Sequence, residues 1–130
     1  MTALSGVVAS GLGHGAGFMA LGWVRDGIRR IAGFDPYPGT FNVRLLDPAM
    51  VARWRRLGDG LARRLDPPTA GACGAAVVPV ALTSGIAAAV IISDVTAHAP
   101  DVLELVAPVH VRSVLGLSDG ETVTIELPVG

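Results

Sequence analysis

A chain of 130 residues that is 51% hydrophobic and 16% charged can fill one sizeable core, which excludes disorder and leaves room for a single domain. Its formal net charge of −1 offers no global attraction for nucleic acid or anionic lipid, so any anion site must be local. All 10 basic residues are arginine, which excludes lysine-dependent chemistry. The lone cysteine, Cys73, can form no internal disulfide and, without a Cys/His cluster at ligand spacing, no zinc site.

The first residues lack the basic segment and apolar run of a secretory signal, so a cytoplasmic location is expected. Residues 5–9 read as a short apolar strand leading into Ser10-Gly11-Leu12-Gly13-His14-Gly15-Ala16-Gly17-Phe18. Glycine amides can approach an anion closely, yet this spacing matches neither the Rossmann fingerprint nor a P-loop. A phosphate cradle and a plain turn therefore both stand. Residues 21–31 have Leu21, Val24, Ile28 and Ile31 at helical spacing, with Gly33 as the stop.

Pro36, Pro38 and Gly39 then force a turn, since each proline removes a donor and biases its predecessor away from the helical region. Beyond it, Phe41, Val43 and Leu45 alternate with Thr40, Asn42 and Arg44, the period of a half-buried strand. Thr40 and Asn42 share a face. A hydroxyl and an amide carbonyl are hard neutral oxygens suited to magnesium that keeps water and draws charge balance from substrate phosphates. The same residues also suit a turn whose polar side chains bond only to nearby backbone.

Asp47 and Pro48 predict the N-cap and first position of a helix running to about Leu57, with Arg53, Arg55 and Arg56 on a solvated face. Residues 58–71 read as an irregular connection without assigned chemistry. The uncharged run 69–93 is long enough to cross a bilayer, but Pro79 and Thr83-Ser84-Gly85 predict instead a hairpin of strands 75–82 and 86–92. In the next strand, 102–106, Glu104 is the only polar residue. A carboxylate there belongs either at a rim or in a site, because burial without a partner is costly. A short helix over 109–115, a turn at Ser118-Asp119-Gly120 and a strand over 122–127 complete the chain. Five or six strands with short inserted helices and no βαβ alternation predict a mainly β protein, a small barrel.

Taken together, Ser10-Gly11-Leu12-Gly13-x-Gly15, Gly33-Phe34-Asp35-Pro36-Tyr37-Pro38-Gly39-Thr40-x-Asn42, Thr96-x-His98, Leu103-Glu104-Leu105-Val106-Ala107-Pro108 with Arg112, and Leu117-Ser118-Asp119-Gly120-Glu121-x-Val123 recur in family order and spacing. In this the chain resembles the archaeal-type, CTP-dependent riboflavin kinase family over nearly its whole length. The resemblance implies a six-stranded cradle-loop barrel, riboflavin-kinase-like, that phosphorylates riboflavin to FMN with CTP as donor. It implies that Gly11, Leu12, Gly13, His14, Gly15 and Ala16, with Val109, His110, Val111 and Arg112, hold the nucleotide. Thr40 and Asn42 would bind Mg2+, and Thr96 and Glu104 would contact the flavin.

No general base is identified. The family pattern has an acidic residue where this chain has His14, a basic one at Ala16, an aromatic at Gly17, and basic residues just before Thr96, where Asp94 and Val95 stand. Two function classes follow: a kinase with an altered nucleotide grip, and a flavin- or nucleotide-binding barrel that has lost transfer. Neither nucleic acid nor membrane is an expected partner, and a monomer or weak homodimer is the expected assembly.

Overall fold

The computed structural model describes residues 2–10, 19–69, 73–94 and 100–128. Gly11, Leu12, Gly13, His14, Gly15, Ala16 and Thr96 lie outside the described residues, as do His98 and residues 70–71 of the predicted connection.

The described strands are β1 (Thr2–Ala9), β2 (Phe41–Leu45), β3 (Arg63–Leu65), β4 (Ala75–Leu82), β5 (Ala87–Ser93), β6 (Val102–Val106) and β7 (Thr122–Leu127). They form one sheet in the order β3-β4-β5-β6-β2-β1-β7, with every pairing antiparallel. A further pairing of β4 with β7, Ala81 with Glu126 and Leu82 with Ile125, closes six strands into a barrel. Closure removes exposed sheet edges. β3 covers the part of the β4 edge that β7 leaves, pairing across Ala75 to Val77.

Period-2 alternation decides what fills the barrel. Phe41, Val43 and Leu45 from β2 point inward, where they join Leu103 and Leu105 of β6 and Val123, Ile125 and Leu127 of β7. A second apolar layer lies outside the wall. There helix α1 (Gly22–Ala32) packs Val24 and Ile28 onto Leu65, Val77, Ala89 and Ile91. α1 ends where the sequence predicts, at Gly33, whose φ of 82° is the left-handed conformation that glycine adopts without penalty.

Helix α2 (Pro48–Leu61) begins as predicted, the Asp47 side chain accepting from the Met50 amide at 2.9 Å. It runs past the predicted stop because Gly58 is not a breaker here. A Cβ on Gly58 would lie 3.2 Å from the Trp54 ring, so the missing side chain makes room for the indole one turn earlier. Part of the supposed irregular connection is therefore helix, and part is β3. Helix α3 (Val111–Leu115) is two residues shorter at its start than expected, with His110 as its N-cap residue. The hairpin forms as read, β4 and β5 pairing from Ala75 with Ser93 to Ala81 with Ala87. No helix among the described residues is long and apolar enough to cross a membrane.

Candidate active site

The site is set by where β2 sits. Asn42 pairs with Ala9 of β1 on one side and Glu104 of β6 on the other, so two flanking strands cover it. Since Phe41 and Val43 face inward, Asn42 and Glu104 project from the outer wall. Both are buried, each 8% exposed, which decides against a solvated rim for Glu104. The Thr40 hydroxyl, two residues before Asn42, donates to Glu104 Oε2 at 3.4 Å. Thus the hydroxyl and amide paired by the sequence reading and the carboxylate read apart from them lie together on neighbouring strands.

Within that group Asn42 Oδ1 is enclosed and has no hydrogen-bond partner. An unpaired buried acceptor of this kind costs about 1–3 kcal/mol, a cost that a ligand at the site removes. Its chemistry fits magnesium: a hard, neutral oxygen beside the Thr40 hydroxyl. Among the described residues no group of three or more His, Cys, Asp or Glu side chains is placed to hold a metal ion. A magnesium ion with few protein ligands keeps water and takes further oxygens from substrate phosphates.

The Thr40–Glu104 contact joins residues that line two different cavities. The first, of about 300 Å3, opens where β5 and β6 separate. Their pairing holds for Ala89 with Val106 and Val90 with Leu105, and beyond it Ile91 and Ile92 diverge from Leu103 and Glu104. Trp54 and Gly58 of α2 line the same cleft, and Glu104 is among its polar groups. Its size lies at the lower end of the ~300–1,000 Å3 typical of small-molecule pockets. The second cavity, of about 140 Å3, is lined by Tyr37, Gly39, Thr40 and the run Val109 to Arg112. A larger groove of about 840 Å3 beside α2 contains none of the residues predicted to bind substrate.

Local bonds bring the second cavity's walls together. The Tyr37 amide donates to the Ala107 carbonyl at 2.7 Å, and the Tyr37 ring lies 5.2 Å from that of His110. His110 Nδ1 in turn bonds the Ser113 hydroxyl. So the Pro-rich turn before Thr40 is tied to the segment predicted to hold nucleotide. At the far side Arg112 Nη1 pairs with Asp119 Oδ1 at 2.8 Å, while Asp119 Oδ2 accepts from the Ser10 hydroxyl. The Ser10 hydrogen bond, then the Arg112 charge, hold the Asp119 carboxyl below its ordinary value.

The family model CTP-dep_RFKase, described as "Domain of unknown function DUF120", matches residues 8–127. The chain belongs to the CTP-dependent riboflavin kinase family. Relatives of this family named riboflavin kinase include one from Pyrobaculum islandicum, 40% identical over 127 residues, covering 95% of this chain and 59% of its own. Another, from Saccharolobus solfataricus, is 36% identical over 97% of this chain and 74% of its own. A third, from Aeropyrum pernix, is 37% identical over 94% of this chain and 92% of its own. The chain thus spans about three-fifths of the Pyrobaculum relative and nearly all of the Aeropyrum one.

Against the expectations for a riboflavin kinase family member, the structure brings together Thr40, Asn42, Glu104 and Val109 to Arg112. One surface clamp of the barrel escaped sequence reasoning altogether. Arg64 of β3 grips Asp94 with two parallel bonds, Nη1 to Oδ1 at 2.8 Å and Nη2 to Oδ2 at 2.9 Å. That pair raises the Arg64 pKa and lowers the Asp94 pKa, the shared hydrogen bond being the largest cause of each shift. It fastens the C-terminal end of β5 at Asp94, where the family commonly has basic residues. No sequence signal marks the pairing, because the two residues are 30 positions apart and Arg64 lies in a three-residue strand.

Proposed function

We propose that this chain transfers the γ-phosphoryl group of CTP to the 5′-hydroxyl of riboflavin, giving FMN and CDP. The observation that carries the reading is the Thr40–Glu104 contact, whose carboxylate residue lines one cavity and whose hydroxyl residue lines a second together with the nucleotide segment. Acceptor and donor held on either side of it would meet at Thr40, Asn42 and Glu104.

The cleft between β5 and β6 presents Ile92, Leu103 and Trp54 to an aromatic ring system, with Glu104 to accept from ribityl hydroxyls at its inner end. On the other side Val109 to Arg112, and by family likeness Gly11 to Ala16, hold CTP. Thr40 and Asn42 would hold magnesium, which would supply charge neutralisation for the phosphates of the donor. In the step itself the 5′-oxygen forms its bond to the γ-phosphorus, the bond from that phosphorus to the β-bridging oxygen breaks, and the hydroxyl proton is released. This demands alignment more than covalent participation by the protein, and the walls described supply alignment. Thr96 completes the flavin contacts by the same likeness. Residues 1–130 act as one barrel domain, as a monomer or weak homodimer, in the cytoplasm.

The test is to incubate purified protein with riboflavin and Mg2+ and to offer CTP, ATP, GTP and UTP separately, resolving FMN from riboflavin by chromatography. FMN from CTP alone is expected. FMN from a different donor would move the specificity while keeping the reaction. No FMN from any donor, with flavin fluorescence still quenched on binding, would replace the kinase with a binding barrel.

A further inference from the structure

The motif Leu117-Ser118-Asp119-Gly120-Glu121 has no part in the chemistry above, yet its bonding is distinctive. The turn is locked to the barrel on both sides of one residue: the Gly120 amide donates to the Val8 carbonyl at 2.8 Å, and the Val8 amide donates to the Glu121 carbonyl at 2.9 Å. Gly120 adopts φ 85°, which lets the chain reverse there. At its other end the turn holds α3, since the Leu117 amide donates to the Arg112 carbonyl at 2.9 Å. Asp119 is thus a carboxylate on a fixed post between β1 and α3. Its two oxygens divide their work, Oδ1 on Arg112 and Oδ2 on Ser10.

We infer that Asp119 is a positioning residue for the donor nucleotide, acting through Arg112. This rests on the nucleotide reading of Val109 to Arg112. The ion pair is solvent-accessible, its side chains 33% and 55% exposed, and pairs of that kind contribute little to stability. What it does provide is orientation. A free arginine side chain samples many rotamers, and restricting it before the ligand arrives removes an entropic cost of binding. Contact through Nη1 engages one of several N–H donors on the planar guanidinium, whose fork geometry suits phosphate. Asp119 also carries negative charge near the expected triphosphate, so orientation must outweigh repulsion for the inference to hold, and the two effects have opposite signs.

The experiment measures CDP affinity with Mg2+ and riboflavin affinity by calorimetry in the wild type, Asp119→Asn, Asp119→Ala, Ser10→Ala, Arg112→Ala and the Arg112→Ala/Asp119→Ala double variant. Asp119→Asn keeps an acceptor for Ser10 while removing the charge on Arg112, so it tests the arginine arm with the turn's bonding retained. For Asp119→Asn, CDP affinity is expected to fall about tenfold, the scale of one oriented charge-assisted bond, with riboflavin affinity unchanged. The double variant should bind CDP no worse than Arg112→Ala, the signature of action through a shared partner. Additive losses, equal loss of riboflavin affinity, or tighter CDP binding by Asp119→Asn would each overturn the inference. Wild-type protein that binds CDP but makes no FMN would defeat the transfer reading while leaving these ratios decisive. Wild-type protein that binds no CDP would overturn both.

Discussion

Asn42 is the residue on which sequence and geometry converge most closely. Alternation places it beside Thr40 on the outer face, but alternation alone predicts exposure like that of Arg44. Its burial comes from Ala9 and Glu104 on the neighbouring strands, pairings that a local pattern cannot encode. Asn42→Ala is expected to lower FMN formation on the order of 100-fold, as loss of a metal contact does. Its Tm without Mg2+ should change little, because removing an unpaired buried carbonyl offsets part of the packing lost. Thermal melts with and without Mg2+ check this: the wild type should gain stability from the ion and the variant should not. Glu104→Gln keeps the shape and one acceptor but loses the charge. The expected result is a riboflavin KM raised about tenfold with the KM for CTP unchanged, read from initial rates.

Elements were legible where their signals were local. Asp47-Pro48 opens α2, Gly33 closes α1, and Pro79 with Thr83-Ser84-Gly85 reveals a hairpin within an uncharged run. Errors arose where a packing contact decides. Gly58 reads as a stop, yet the space it leaves is occupied by Trp54, so the helix continues to Leu61. β3 has three residues, two of them arginine, and only Leu65 beneath α1 explains it. Two glycines show how such contacts differ. A Cβ on Gly6 would lie 2.6 Å from the Arg44 carbonyl oxygen and 2.4 Å from Val43 Cγ1, where β1 pairs β2. On Gly27 it would meet Leu65 Cδ1 at 1.9 Å, the end of a side chain rather than backbone. Gly6→Ala should therefore cost more than Gly27→Ala, about 3 kcal/mol or more against about 1 kcal/mol, where better helix propensity offsets part of the overpacking. Urea denaturation of the two variants measures the difference, and equal losses would contradict the assignment of backbone clash to Gly6.

The fold class was readable from strand count and the absence of βαβ units, whereas barrel closure was not, because the β4 to β7 pairing joins residues over 40 positions apart. Closure is reinforced by Thr83, whose amide and hydroxyl both donate to the Thr124 carbonyl, at 3.2 and 3.1 Å. The same barrel is left open at the β5–β6 seam, and two surface clamps tie its segments together: Arg64 with Asp94, and Asp119 with Ser10 and Arg112. Both carboxyls have folded values below their ordinary 3.8, so each contributes stability above that pH and loses it as pH falls through the depressed folded value. Melts from pH 7 to 3 should show a shallower acid decline in an Asp94→Asn/Asp119→Asn variant than in the wild type, and parallel declines would mean that neither clamp matters to folding. The central claim is that acceptor and donor occupy opposite sides of the Thr40–Glu104 contact. A crystal structure with riboflavin, CDP and Mg2+ tests it most directly. The flavin ring is expected in the β5–β6 cleft, the diphosphate against Val109 to Arg112, and the ion on Thr40 and Asn42. Flavin in the groove beside α2, or both ligands on one side of Glu104, would contradict it.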